Sequence, residues 1–237
     1  MIILSRENPR YGYRRVWALL RREGWAVNKK RVQRLWREAG LKVPARERKR
    51  RRLGSSENSC TRRRAEYIDH VWSYDFAMDA TEDAHRLKVM PVVDEYSREC
   101  LALEMERSIT AESVVRTLDR LFTERGEPDY IRSDNGPEFI AGAVKRWLAA
   151  SGVETLYIEP GAPWENAYSE TFISRLGQDE LLNREVFANL KEAQVLAGDY
   201  REHYNRYRPH GALGYLTPVE FAAREAEQVE FVQRLSS

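Results

Sequence analysis

The chain has 237 residues, room for one sizeable core and one or two small attachments. With 42% hydrophobic and 32% charged residues and no apolar run near the ~18 residues of a membrane span, the composition is ordinary for a globular protein and excludes a spanning helix. Net charge is +2, but residues 1–66 hold 21 Lys/Arg against 6 Asp/Glu, whereas residues 67–237 hold 18 against 31. A front of net +15 on a body of net −13 points to a nucleic-acid-binding arm joined to a body that collects carboxylates. Cys60 and Cys100 form neither a zinc signature nor a disulfide framework, and the start carries no signal-peptide pattern, so a cytoplasmic protein is expected.

In chain order, residues 11–23 read as a helix, with Tyr13, Val16, Trp17 and Leu20 at helical spacing and Arg14, Arg15, Arg21 and Arg22 on the other faces. Gly24 closes it, and Asn28 is placed to cap a second helix. There Val32, Leu35 and Trp36 form the apolar side and Lys29, Lys30 and Arg31 stand among the cations. Two short helices with a Gly-containing link fit a helix-turn-helix-like unit over 1–42. Residues 43–66 read as a basic linker: Arg46 to Arg52 holds six cations, Arg50, Arg51 and Arg52 among them, and such a run self-repels until it meets phosphate.

From residue 68 the period becomes strand-like, with Val71, Ser73, Asp75 and Ala77 alternating with Trp72, Tyr74, Phe76 and Met78. Strands are expected at 87–93, 101–105, 130–133 and 153–158, and helices at 110–125, at 141–150 and after Pro163. The order β-β-β-α-β-α-β-α implies an α/β core over 67–180, a mixed sheet with helices packed on it. A mostly helical extension follows over 181–237.

Three acids stand out. Asp75 is a carboxylate in an apolar, aromatic strand, where it costs free energy unless paired or metal-bound. Asp134 lies at a strand end before Asn135-Gly136-Pro137, a turn sequence, and strand ends of open α/β sheets gather sites. Glu170 follows Asp134 after 35 intervening residues. Acids converging from different elements suit divalent cations that prefer a few carboxylates plus water and phosphate oxygens. From residue chemistry alone Asp79 rivals Asp75, and Glu159 and Glu165 rival Glu170.

The words around these acids resemble the retroviral-integrase-like DDE recombinases, and more closely the second-frame transposase protein of a large family of bacterial insertion sequences. The resemblance is carried by Tyr11-Gly12-Tyr13-Arg14-Arg15, Val27 to Val32, Trp72 to Phe76, Val93 to Arg98, Ser133 to Phe139, Pro163 to Glu170, and Tyr204-Asn205 through Arg208-Pro209-His210 to Tyr215. It implies an RNase H-like mixed five-stranded sheet flanked by helices. Asp75, Asp134 and Glu170 would be catalytic and would bind two Mg2+ or Mn2+ ions. The implied activity is nicking of the element's ends and their transfer to target DNA by in-line transesterification, with no nucleotide cofactor. Asn166, one helical turn before Glu170, is expected to touch DNA or support the site, and Asn135 and Gly136 to shape the nearby loop.

Two departures temper this. Family members carry Lys or Arg seven residues after the catalytic Glu, where this chain has Gly177, expected in mid-helix; Arg175 points about 160° away from it. Relatives also carry more residues before the Tyr-Gly-Tyr-Arg-Arg word, with an upstream reading frame supplying a DNA-reading module. The alternative is therefore an impaired or partial transposase that only binds DNA; an RNase H-like nuclease leaves the basic arm unexplained. Implied partners are the element's terminal repeats, target DNA, further copies of the chain on DNA and the upstream-frame protein, with association to the bacterial nucleoid and no membrane.

Overall fold

The computed structural model describes residues 1–43, 63–133, 138–157, 167–177, 181–182 and 185–236. The chain divides into two compact units, one of residues 1–63 with 208–216, the other of residues 64–207 with 217–237.

The first unit is helical: α1 (Ile2–Glu7), α2 (Tyr13–Arg22) and α3 (Lys29–Glu38). Asn28 caps α3 as expected, its side chain accepting from the Lys30 N–H at 2.8 Å. Gly24 and Gly40, both at positive φ, end α2 and α3 in a conformation that costs glycine little. Val16, Leu19, Val32 and Trp36 are buried between the helices, whereas Leu35, expected on the apolar side, is 36% exposed. Residues 208–216 close the unit, with Tyr215 edge-on to Trp17 and its carbonyl accepting from Arg22 at 3.3 Å.

The second unit is built on one sheet of β1 (Val71–Tyr74), β2 (Ala77–Ala80), β3 (Arg86–Asp94), β4 (Cys100–Glu106), β5 (Tyr130–Ser133) and β6 (Glu154–Tyr157). β1 and β2 share a single register on β3, since Tyr74 faces Val92 and Ala77 faces Val89, three residues on along each strand. β4 occupies the other edge of β3, so β1 and β2 are two halves of one ribbon. The six segments thus form five ribbons: β4, β3, β1/β2, β5 and β6, with the β1–β5 and β5–β6 pairs parallel. The single strand read across residues 71–78 is broken at Asp75 and Phe76, where the ladder lapses.

Alternation divides the faces. Trp72, Tyr74, Met90, Val92 and Ile131 pack against α4 (Ala111–Arg125) and α5 (Glu138–Ala150), whose Val114, Leu118, Leu121, Val144 and Leu148 complete that core. Leu87, Val89, Val93, Leu103 and Met105 face α6 (Ala167–Arg175) and α7 (Leu190–Arg206), with Phe172, Leu176, Ala193 and Ala197 between. Odd-numbered residues of β1 therefore lie on the α6 face. The last helix is α8 (Pro218–Ser236).

The open edge of β4 is covered by side chains of α7. Gln194 donates to the Met105 carbonyl at 2.9 Å, Arg201 to that of Leu101 at 3.0 Å, and Asn205 pairs with both backbone groups of Cys100. An unpaired strand edge is a template for another chain, and a helix laid along it removes that liability.

Candidate active site

Asp75 directly follows Tyr74, and Tyr74 is paired in parallel register with Ser133, the residue before Asp134. The two acids are thus consecutive with the C-terminal ends of adjacent parallel strands, the edge of an α/β sheet where ligands collect. Asp75 is half-buried, and its Oδ1 accepts from the Phe76 N–H at 2.7 Å. The partner strand explains why the ladder lapses here. Just past β3 the Glu95 N–H donates to the Val71 carbonyl, so odd-numbered residues of β3 turn their backbone toward β1. The position opposite Asp75 in this register is Pro91, which has no N–H to donate.

Glu170 lies in the first turn of α6, exposed, while Ser169 and Phe172 beside it are buried. α6 packs over β1 and β3, which puts the Glu170-bearing helix on the Asp75 side of the sheet. Asp134 and Asn166 lie outside the described residues, as do Glu159, Glu165 and the Asn135-Gly136 turn. Among the described residues no three His, Cys, Asp or Glu converge as a metal group. The donor chemistry of Asp75, Asp134 and Glu170 is all oxygen and anionic, which fits Mg2+ or Mn2+ and not a thiolate-seeking metal. Of the rival acids, Asp79 makes the same kind of local bond as Asp75, accepting from the following Ala80 N–H at 2.8 Å, but it lies on β2, past the break and away from the β1 residues that pair with β5.

A buried polar floor lies beneath this edge, and sequence reasoning passed over it. Arg132, on the α6 face of β5 beside Ser73, is 4% exposed and bonds Glu95, 1% exposed, at 2.8 Å. Arg98 places its guanidinium 3.7 Å from the centroid of the Tyr168 ring on α6. Burial lowers the Arg98 guanidinium from its ordinary value, against the pull of Tyr168, Glu95 and Asp94. Asp94 accepts from the Ser97 N–H at 2.8 Å and hydroxyl at 2.5 Å; burial nevertheless pushes its carboxyl up to about 6. The signal was available in the word Val93 to Arg98, which repeats polar residues inside an apolar hairpin.

Gly177 stands past the α-helical span of α6, in a final wider turn with Leu176, and not in mid-helix. A Cβ added there would meet nothing within 4 Å among the described residues.

In the first unit, Arg14, Lys29, Lys30 and Arg31 are exposed on α2 and α3. The Lys29 ammonium lies 5.7 Å from the Trp17 ring, and Arg15 packs over Tyr11 at 5.1 Å. Arg50, Arg51 and Arg52 lie outside the described residues.

Comparison with known proteins accords with this layout. A family model described as HTH-like domain matches residues 2–50, and two described as Integrase core domain match residues 68–163 and 151–218. An uncharacterized 31.7 kDa protein of insertion element IS407 from Burkholderia multivorans is 41% identical over 94% of this chain and 79% of its own length. Transposase InsD of insertion element IS2 from Escherichia coli is 30% identical over 93% of this chain and 76% of its own. The chain belongs to the insertion-element transposases. Within this family of DDE-type polynucleotidyl transferases, an uncharacterized 39.2 kDa protein of IS476 from Xanthomonas euvesicatoria is 39% identical over 96% of this chain, which spans 65% of that relative's length.

Solved structures share the fold. The HTLV-2 integrase catalytic core domain in complex with magnesium is 16% identical with a TM-score of 0.51, covering 67% of this chain and 99% of that one. A simian T-cell lymphotropic virus intasome in complex with a PP2A regulatory subunit is 14% identical with a TM-score of 0.55, covering 83% and 67%. At these identities the likeness is one of fold, the RNase H-like core that the five ribbons describe. Among the described residues, no helix is long and apolar enough to cross a membrane.

Proposed function

We propose that this chain nicks DNA at the ends of an insertion element and joins those ends to target DNA, with Asp75, Asp134 and Glu170 as its catalytic acids. The observation that carries the reading is the parallel register of Tyr74 with Ser133, which brings the residues leading into Asp75 and Asp134 to one sheet edge. α6, with Glu170, packs over the same face. The three carboxylates would hold two Mg2+ or Mn2+ ions, which supply a strong nucleophile at neutral pH and stabilise charge on attacking and leaving oxygens.

The chain's own residues confine and orient the reacting phosphate at the strand ends. In the joining step a DNA 3′ hydroxyl oxygen forms a bond to phosphorus as the target's bridging 3′ oxygen leaves with the electron pair and takes up a proton. One phosphodiester replaces another, so no nucleotide cofactor is required. Arg14, Arg15, Lys29, Lys30 and Arg31 of the 1–42 region and Arg50, Arg51 and Arg52 of the 43–66 linker hold duplex DNA through its phosphates, with Asn166 beside the site. The 67–180 core does the chemistry, and 181–237 is its helical extension. Two element ends must be held together, so the working form is a homo-oligomer on DNA in the bacterial cytoplasm, with the upstream-frame protein as a further partner.

The test is a labelled duplex carrying the source element's end, incubated with Mg2+ or Mn2+ and the chain beside its Glu170→Gln variant. Metal-dependent joined product that vanishes in the variant is expected. Binding without nicking or joining in either metal would contradict the proposal and favour a protein that only binds DNA, as the absence of a basic residue at Gly177 would suggest.

A further inference from the structure

The turn Asp94–Glu99 between β3 and β4 contacts several other elements of its unit, α4 among them through the Glu99–Arg125 pair at 3.2 Å. Glu95 bonds Arg132 on β5 at 2.8 Å. Tyr96 donates to Glu225 on α8 at 2.8 Å and packs against Phe221. Arg98 stacks on Tyr168 of α6 at 3.7 Å, and its Nη1 is buried with no hydrogen-bond partner among the described residues. The turn is itself fixed by the two bonds from Ser97 to Asp94, with Arg98 at a φ of 66°.

Two of these contacts have a common destination. Arg132 precedes Asp134 by two residues, and Tyr168 precedes Glu170 by two. Glu95 stands between them, bonded to Arg132 and attracting Arg98. We infer that Glu95 and Arg98 are positioning residues: this one turn sets the strand end leading to Asp134 against the helix turn that bears Glu170. The inference rests on the acid trio proposed above.

Two kinds of contact hold α6. Its second half sits on apolar side chains, Phe172 and Leu176, which accept small slides at little cost. Its first half carries the buried Ser169 and Tyr168, the ring on which Arg98 stacks. Replacing a buried ion pair by apolar groups of like volume is often neutral or stabilising, so net stability gives little reason for a buried Arg–Glu pair here. A guanidinium locked in one place by a carboxylate and another locked face-on to a ring do give fixed register, which carboxylates sharing ions require.

The test uses the full chain with Arg98→Gly, Tyr168→Leu and Tyr168→Phe. Glycine adopts a φ of 66° readily, so Arg98→Gly keeps the turn and removes only the side chain. Glu95 is tested as the double variant Glu95→Leu/Arg132→Met, because a single change would strand a buried charge and unfold the core. Two readouts are taken: the Mg2+ concentration giving half-maximal joining, and amide hydrogen exchange across α6.

Arg98→Gly, Tyr168→Leu and the double variant are expected to raise the half-saturating Mg2+ concentration about ten-fold. DNA affinity and melting temperature should stay near wild type, α6 protection should fall, and Tyr168→Phe, which keeps the ring, should match wild type. Unchanged α6 protection and Mg2+ dependence in Arg98→Gly would overturn the inference, as would losses that only follow melting temperature. The exchange result is expected even if wild type joins no DNA, an outcome that would count against the proposed function and not against this link.

Discussion

Pro91 faces Asp75 across the sheet, in the register that pairs Tyr74 with Val92 and Ala77 with Val89. A proline inside a central strand removes a ladder bond and is otherwise confined to edges and bulges. Here the missing bond falls at the proposed catalytic acid and splits one ribbon into β1 and β2. Pro91→Val restores the donor and is expected to close the ladder across Asp75, leaving melting temperature equal or higher while joining falls several-fold. Thermal melts and joining rates on the same preparations check this; undiminished joining with a more stable fold would show that the lapse has no part in the chemistry.

The turn that holds the arginines gives a pH signature. Asp94 is pushed up to about 6 by burial, against the opposing bonds from Ser97. Its folded value thus exceeds the value of an unfolded carboxylate, near 4. The native state holds this proton more tightly, so stability from the group is complete below about pH 4 and is lost as pH rises through about 6. The loss is on the order of 2–3 kcal/mol. Asp94→Asn should flatten the stability profile between pH 4 and 6, measured by denaturant midpoints; a profile identical to wild type would assign the slope to other groups.

Asn205 is the other buried polar anchor. Its Oδ1 accepts from the Cys100 N–H at 2.8 Å and its Nδ2 donates to the Cys100 carbonyl at 2.9 Å, copying the pairing of a neighbouring strand. Asn205→Ala leaves both groups buried and unpaired, for a cost of roughly 1–3 kcal/mol. Asn205→Asp keeps the acceptor but not the donor, and is expected to lose about as much. Chemical denaturation measures both; a change below about 0.5 kcal/mol in either, the scale of ordinary surface substitutions, would mean that water replaces the side chain.

Much of this was legible in the sequence, for identifiable reasons. Val114, Leu118 and Leu121 were readable because one helix face against a sheet imposes a 3.6-residue period. Asn28 was readable because capping is local chemistry. Asp75 was readable as a charge in an apolar alternation, but the break beside it was not, since it depends on Pro91 sixteen residues away. Arg132 and Arg98 looked like ordinary surface cations; their burial is a tertiary fact, set by Glu95 and Tyr168 arriving from other elements. Leu35 was misjudged because periodicity reports a face and not whether anything covers it. The cover that α7 gives to β4 was likewise invisible, since Gln194, Arg201 and Asn205 read as ordinary polar positions of a surface helix.

Gly177 gives a gain-of-function prediction. Among the described residues nothing crowds it, and it sits at the end of α6 with no left-handed backbone requirement. Gly177→Lys should fold normally and gain a few tenths to ~1 kcal/mol from the loss of glycine's chain entropy. If the new ammonium meets a phosphate, the slope of log affinity for element-end DNA against log salt should steepen by about one. An unchanged slope would place this turn away from the DNA.

Strand transfer is assigned to Asp75, Asp134 and Glu170 as proposed above. The most direct measurement compares wild type with Asp134→Asn for joining of element-end DNA in Mg2+ and for binding of the same duplex. Joining is expected to be abolished while binding stays within about two-fold of wild type, since an amide in place of this carboxylate removes an anionic metal ligand and no phosphate contact. Full metal-dependent joining by Asp134→Asn would contradict it.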